Sequence, residues 1–294
     1  MPRLIITADD LGIHRSINES IREAYVNGVL TSGSMLITTN FVDSAVEEVV
    51  RATGMPVGLH LSLTTGRPCA QPERIPLLVD GQGCFKHSPV VLFKKFFGRR
   101  RDSELLFQIR LELEAQFEHA QKLGVDFSHF DSHQNIHLIH PVFEILKEVA
   151  PRYGFSKVRL GSEPFFGFTF FNRPLQILKE KNLLKWVIVR YCISKIQHTF
   201  TSPDHFYGIM YTGIMNKRVV LDLIKRLLPG RTYELVMHPG FPAKENADLY
   251  TLPSHNRFIS SPNRLQEFHI ATDPEVNSAI RAHGATLISY RELK

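Results

Sequence analysis

Three histidines and an aspartate fall within nine residues, His129-Phe-Asp131-Ser-His133-Gln-Asn-Ile-His137, in a chain of 294 residues that holds 14 histidines. Packing alone does not call for such a density. Imidazoles and carboxylates are the groups that bind borderline divalent metals and move protons near neutral pH. The same types recur singly: Asp9-Asp10 closes the apolar run 4–8, His60 sits in Gly-Leu-His-Leu, Arg159 lies in the run 157–160, and His238 opens His-Pro-Gly. One aspartate and two histidines make an oxygen-and-nitrogen site that leaves positions for water and substrate. A metal held there lowers the pKa of bound water and polarises a carbonyl. A neighbouring carboxylate can take the water's proton, an arginine can orient that carboxylate, and a histidine can protonate the leaving group. This is the equipment of metal-assisted amide or ester hydrolysis. Each residue alone has a plainer reading: Asp-Asp after a strand serves as turn and N-cap, and His60 in an apolar strand reads as a packed core histidine. Their shared position at the ends of apolar runs is what sets them apart.

The elements that must position them alternate regularly. Strand-like runs at 4–8, 34–37, 57–61, 127–131, 157–160, 233–237 and 285–289 are separated by helical patterns. Ser16-Ile-Asn-Glu19 reads as a capping box opening a helix that stops near Gly28. Further helices are expected over 43–51, from Asp102 or Ser103 to Gly124, over 141–150 and 216–228, and from Asp273-Pro274 to Gly284. Strands alternating with helices imply βα units and a parallel sheet. Seven or eight units in this length predict an α/β fold, a (β/α) barrel of one domain over residues 1–294, with insertions near 64–101, 161–205 and 241–261. An open doubly wound sheet is the competing architecture, but no GxGxxG follows the first strand to suggest a dinucleotide. In a barrel, the chemically equipped residues at strand C-termini meet in one mouth.

Composition narrows the class. Hydrophobic residues at 43% and charged residues at 22% are globular proportions. Cys69, Cys84 and Cys192 are odd in number, widely spaced and without a CxxC pair, which excludes a disulfide scaffold or zinc ribbon and fits a reducing, cytoplasmic setting. The first apolar run is too short for a signal peptide, and Lys185 and Arg190 interrupt the most apolar later stretch, 183–193, so no membrane span is expected. The net charge of +6 is uneven. Residues 86–101 hold six Lys/Arg and no acid, and residues 165–200 hold six Lys/Arg and one acid, which leaves −5 on the remainder. No nucleic-acid motif accompanies these windows, so nucleic acid is not an expected partner.

Six segments together carry a family resemblance: Ile6-Thr-Ala-Asp-Asp-Leu-Gly12, Gly28-Val-Leu-Thr-Ser32, Val57-Gly-Leu-His-Leu-Ser-Leu-Thr64, His129-Phe-Asp-Ser-His-Gln134 with His137, Pro203-Asp-His-Phe206, and Glu234-Leu-Val-Met-His-Pro-Gly240. In this order they resemble the YdjC-like carbohydrate deacetylases over nearly the whole chain, and within them the hopanoid biosynthesis-associated deacetylases, which act on an N-acetylglucosaminyl group attached to a triterpenoid lipid. The resemblance implies a distorted barrel and one divalent metal, zinc or magnesium first, with manganese, cobalt or nickel as alternatives. It implies Asp10, His60 and His133 as ligands, Asp9 as general base and His238 as general acid. Asp131, His137 and Arg159 would support these groups or touch substrate. It also makes a homodimer an expectation. One position departs from the family's His-Gln-His-x-His: Asn135 replaces the middle histidine. Asn cannot act as an acid or base near neutral pH, so a hydrogen-bonding role is expected there.

Two other functions remain open to the residue types alone: metal-dependent hydrolysis of another bond (ester, phosphodiester or ring amide), and a non-catalytic sugar- or lipid-binding barrel, which has no use for a base beside the metal. The basic windows are also rich in aromatics: Phe93, Phe96 and Phe97 in one, and Phe165, Phe166, Phe168, Phe170, Phe171, Trp186 and Phe200 in the other. Basic and aromatic residues together fit peripheral contact with an anionic membrane, at its inner face, and a lipid-linked substrate. The plainer expectation is a packed helix over 183–193 and a solvated loop over 94–101.

Overall fold

The computed structural model describes residues 1–96, 102–165, 174–242 and 260–294. Seven parallel strands form one curled sheet: β1 (Arg3–Leu11), β2 (Ser32–Met35), β3 (Val57–Leu61), β4 (Phe127–Ser132), β5 (His205–Tyr207), β6 (Thr232–Met237) and β7 (Thr286–Leu287). Their order is β4-β3-β2-β1-β6-β5, and β7 pairs with Arg3 and Leu4 at the start of β1. Beyond β4 the expected strand at 157–160 is reduced to two bridges, Phe130 to Val158 and Lys157 to Thr201, before the chain enters β5. Across that irregular sector Phe206 N donates to Ser162 O at 3.2 Å. The result is a distorted (β/α) barrel.

The period-2 alternation of the strands separates two environments. In β1, Leu4, Ile6 and Ala8 join the apolar core shared with the surrounding helices, whereas Thr7 and Asp9 turn inward onto Glu234 and Arg159. Val57, Leu59 and Leu61 of β3 and Tyr233, Leu235 and Met237 of β6 repeat the outward set. Their inward neighbours are His60 and Glu234. Several inward positions thus give the barrel a polar interior, while Ile5 and Val236 are apolar inward positions. At its lower end Ile5 packs with Ile288, Tyr290 and Leu293, and the Tyr290 ring stacks on His129 at 3.5 Å between centroids.

Helix ends follow local chemistry. Asp102 accepts from Leu105 N at 3.0 Å and caps Ser103–Lys122, and Asn216 likewise caps Lys217–Ile224. The first helix differs from expectation. It spans Arg15–Asn27 and is capped by His14, whose ring accepts from Ser16 N, so Ser16 and Glu19 form no capping box. The helix expected over 43–51 starts with one turn, Val42–Ser44, and widens into a π-helix, Ala45–Arg51. A helix over Asn263–Ala271 was not legible in the pattern. Most of the insertion expected near 241–261 lies outside the described residues.

Gly58, in the Gly-Leu-His-Leu run, has no room for a side chain: a Cβ there would stand 2.3 Å from the His129 ring. Gly58→Ala is expected to destabilise the fold by about 1–3 kcal/mol through overpacking, read as a lower urea midpoint. An unchanged midpoint would show that the His129 stack yields freely.

Candidate functional site

Arg159 lies at the centre of the polar interior, 2% exposed. Its Nη1 and Nη2 donate to Asp9 Oδ2 and Oδ1, both at 2.8 Å, in a bidentate pair. Nη1 also stands 2.6 Å from Asp131 Oδ2, and Nε donates to Glu234 Oε1 at 3.0 Å. Glu234 further accepts from Thr7 Oγ1 at 2.8 Å and from the Tyr290 hydroxyl at 2.6 Å. Burial opposes charge on Arg159, but Asp131, Asp9 and Glu234 outweigh it and hold the guanidinium well above its ordinary pKa. One arginine thus ties β1, β4 and β6 together.

Asp131 serves two neighbours. Its Oδ1 stands 2.7 Å from His60 Nδ1 and accepts from Ser34 Oγ at 2.5 Å. Burial alone would push its carboxyl up, but Arg159 and His60 prevail and hold it well below the usual range. Burial opposes charge on His60, but Asp131 and Asp9 outweigh it and raise its pKa. In the neutral ring, an ionised acceptor on Nδ1 fixes the tautomer and leaves Nε2 with its lone pair, as a metal-ligating histidine requires. His60 Nε2 is 3.9 Å from Asp10 Oδ1, and His133 Nδ1 is 2.9 Å from the same oxygen. Asp10 Oδ2 pairs with Arg264, which is also buried. Burial opposes ionisation of Asp10, yet Arg264, with His133 and His238, holds it well below the carboxylate range.

These side chains fit a metal ion. Asp10, His60 and His133 offer three ligand atoms within 4.8 Å of one another, and Asp10 Oδ1 is buried with no aligned hydrogen-bond donor. A second trio, Asp9, His60 and Asp131, is equally close, but there Arg159 already bridges the two carboxylates. The first trio is the stronger candidate. Asp10 sits at φ +70° and the adjacent turn holds Gln134 and Asn135 at φ +58° and +57°. Asp and Asn are among the non-glycine residues that most readily accept this left-handed region. The departure at Asn135 therefore suits the backbone of a turn that lines the site.

A cavity of about 840 Å³ brings together Asp9, Asp10, His60, His133, Arg159 and His238. Asp131 and His137 lie behind its wall. Burial lowers the pKa of His137 to about 4. This neutral ring bonds Ser132 Oγ and Arg159 O, at 2.6 and 2.8 Å, and so holds the backbone that carries Arg159. His129, lowered to about 3 by burial, is a stacking residue. His238 follows β6; its backbone N donates to Glu267 Oε2 at 2.6 Å, and its Nδ1 stands 3.8 Å from the same oxygen.

Four contributors were not assigned from sequence: Ser34, Glu234, Arg264 and Glu267. Arg264 and Glu267 are three apart on one helix and both buried. Charged side chains in the buried stripe of a helix were the available signal. Glu234 interrupts an otherwise apolar strand and carries the same kind of signal.

The fold is a parallel α/β barrel with a buried Asp/His cluster at its strand ends. The chain belongs to the YdjC-like protein family, whose model matches residues 3–282. A carbohydrate deacetylase of Thermoanaerobacter pseudethanolicus is 28% identical over 294 residues, covering all of both chains. A mouse carbohydrate deacetylase is 30% identical over 310 residues, covering 99% of this chain and 94% of its own. The crystal structure of a provisionally assigned cellobiose-phosphate cleavage protein from Enterococcus faecalis superposes with a TM-score of 0.73 at 24% identity, covering 99% and 98% of the two chains, which supports the fold.

Replacing Asp131 by Asn removes the charge that orients His60. Affinity for zinc or cobalt is expected to fall about 10–100-fold, measured by titration calorimetry on the metal-free protein. Unchanged affinity would show that His60 does not depend on Asp131 as a ligand.

Proposed function

We propose that the chain is a metal-dependent carbohydrate N-deacetylase, hydrolysing the acetamide of an N-acetylglucosaminyl group to the free amine and acetate. The observation that carries this reading is the meeting of an Asp/His trio and two differently held proton-transfer groups, Asp9 and His238, in one cavity. Asp10, His60 and His133 would hold a divalent ion, zinc or magnesium before manganese, cobalt or nickel. Such an ion supplies Lewis acidity and makes water more acidic.

The remaining steps fall to side chains. Asp9, gripped bidentately by Arg159, is oriented to accept a proton from the attacking water. The water oxygen forms the new bond to the acetyl carbon first, and the carbon–nitrogen bond then breaks. His238, anchored through Glu267, gives the leaving nitrogen its proton. Asp131 and His137 act by positioning, through His60 and through the Arg159 backbone. The deacetylase names of the relatives support this reaction class.

In its finer form the substrate sugar is borne by a lipid of the hopanoid kind. Part of the cavity wall is apolar, with Val90, Phe93, Ile139, Ile188 and Val189, which suits a hydrophobic aglycone better than a second sugar ring.

Asp10→Ala and His133→Ala are expected to lose both bound metal, by elemental analysis, and acetate release from an N-acetylglucosaminide. Either variant keeping its metal and full turnover would remove that residue as a ligand. His238→Ala should keep the metal and slow kcat by about 10²–10⁴-fold, the usual contribution of a positioned acid. Normal turnover would exclude His238 as the acid. Acetate release from an O-acetyl ester but from no N-acetyl sugar would redirect the reading to an esterase.

A further inference from the structure

Exposed apolar side chains are not scattered evenly over this protein. Of the 13 large hydrophobic residues exposed among the described residues, eight lie at 90–91, at 165 and over 175–191. The helix Asn182–Ile193 shows why. Asn182, Val189 and Cys192 form its buried side, and Ile188 and Val189 line the cavity. Its other side carries Leu184, Val187 and Tyr191, spaced three and four apart and each roughly half exposed. A helix apolar on both faces belongs in a core or against a second apolar phase, yet this one lies at the surface. Leu175, 81% exposed, and Leu178 extend the patch on the helix Pro174–Lys179, which packs against it. Val90 and Val91 extend it on the helix Pro89–Phe96. Both Pro89–Phe96 and Asn182–Ile193 rest on the His133–Leu138 turn, so the patch borders the entrance to the site.

The polar residues around the patch are mostly of one sign. Lys94, Lys95, Lys179, Lys181, Arg190 and Lys195 are exposed there, and Glu180 is the one acid in residues 174–195. Lys195 lies 5.5 Å from the centre of the Tyr191 ring. We propose that this face docks the protein onto an anionic lipid bilayer, with the apolar residues entering the headgroup boundary and the lysines and arginine meeting lipid phosphates. A second copy of the chain is a poorer occupant: a two-fold contact would set the same basic residues against themselves. Among the described residues no helix is long and apolar enough to cross a membrane, so contact would be confined to the interface. Bilayer binding does not depend on the reaction, whereas presenting a membrane-anchored sugar to the site rests on the deacetylase reading.

The test is flotation of the intact protein with vesicles of phosphatidylglycerol and phosphatidylcholine, and with phosphatidylcholine alone. Binding is expected to the anionic vesicles and to weaken as salt rises from about 0.01 M to about 1 M, where screening shrinks to about 3 Å. Leu184→Gln with Val187→Gln, neither of which lines the cavity, should weaken binding about tenfold and leave acetate release from a water-soluble N-acetylglucosaminide unchanged. Lys94→Glu with Lys95→Glu should also weaken binding and flatten its salt dependence. No anionic-vesicle binding, or binding indifferent to both double variants, overturns the proposal. So does a sedimentation dimer that the Leu184/Val187 variant converts to monomer. Vesicle binding without deacetylation would sink the reaction and keep the surface; deacetylation without vesicle binding would do the reverse.

Discussion

The organisation of the barrel interior rests on a single buried guanidinium. Arg159 is surrounded by Asp9, Asp131 and Glu234, which arrive from three strands. Removing one partner from such a buried network leaves uncompensated charge, a loss of about 3–5 kcal/mol. The network also fixes the chemistry. The bidentate grip sets the plane of the Asp9 carboxylate, and the tie to Asp131 sets the oxygen that orients His60. Structure and site are therefore one arrangement, with the same residue holding the strands and aiming the groups.

Among the described residues, the barrel interior buries Asp9, Asp10, Asp131, Glu234 and Glu267 against the guanidiniums of Arg159 and Arg264, and Asp131 and Asp9 raise the pKa of the buried His60. Burial raises the pKa of Glu234 despite Arg159, which lessens the surplus, but Asp10 and Asp131 are held ionised. Buried carboxylates in excess are stable when a cation or hydrogen bonds compensate them. Among the buried carboxylate oxygens of the described residues, Asp10 Oδ1 and Asp131 Oδ2 lack an aligned donor. Asp131 Oδ2 faces Arg159, and Asp10 Oδ1 is the one that His60 and His133 approach. Arg264 occupies the other oxygen and leaves this one free to act as a ligand.

Much of this was legible in the sequence, for a physical reason. Strand periodicity places polar residues at inward positions and at strand ends, which Asp9, Asp10, His60 and Arg159 share in the sequence itself. The dense 129–137 stretch was informative but not uniform: His133 reaches the cavity, His137 and Asp131 stand behind it, and His129 is packing. Sequence spacing cannot tell those apart, because a turn at φ near +58° through Gln134 and Asn135 decides which side chains swing into the cavity. Arg264 and Glu267 are not legible in the sequence because the residues before their helix carry no clear pattern. The strand expected at 157–160 survives only as bridges, since its pairing is divided between β4 and Thr201. The basic windows suit either a packed or a membrane-facing segment, and the helix Asn182–Ile193 is packed on one side and exposed on the other.

The proposed role of a metal ion at Asp10, His60 and His133 in sugar deacetylation is decided by the metal content and acetate release of one protein preparation, before chelation, after it and after metal is restored, on an N-acetylglucosaminide. A single divalent ion per chain is expected, with acetate release lost on chelation and recovered with the metal. Full acetate release by the metal-free protein would rule that role out.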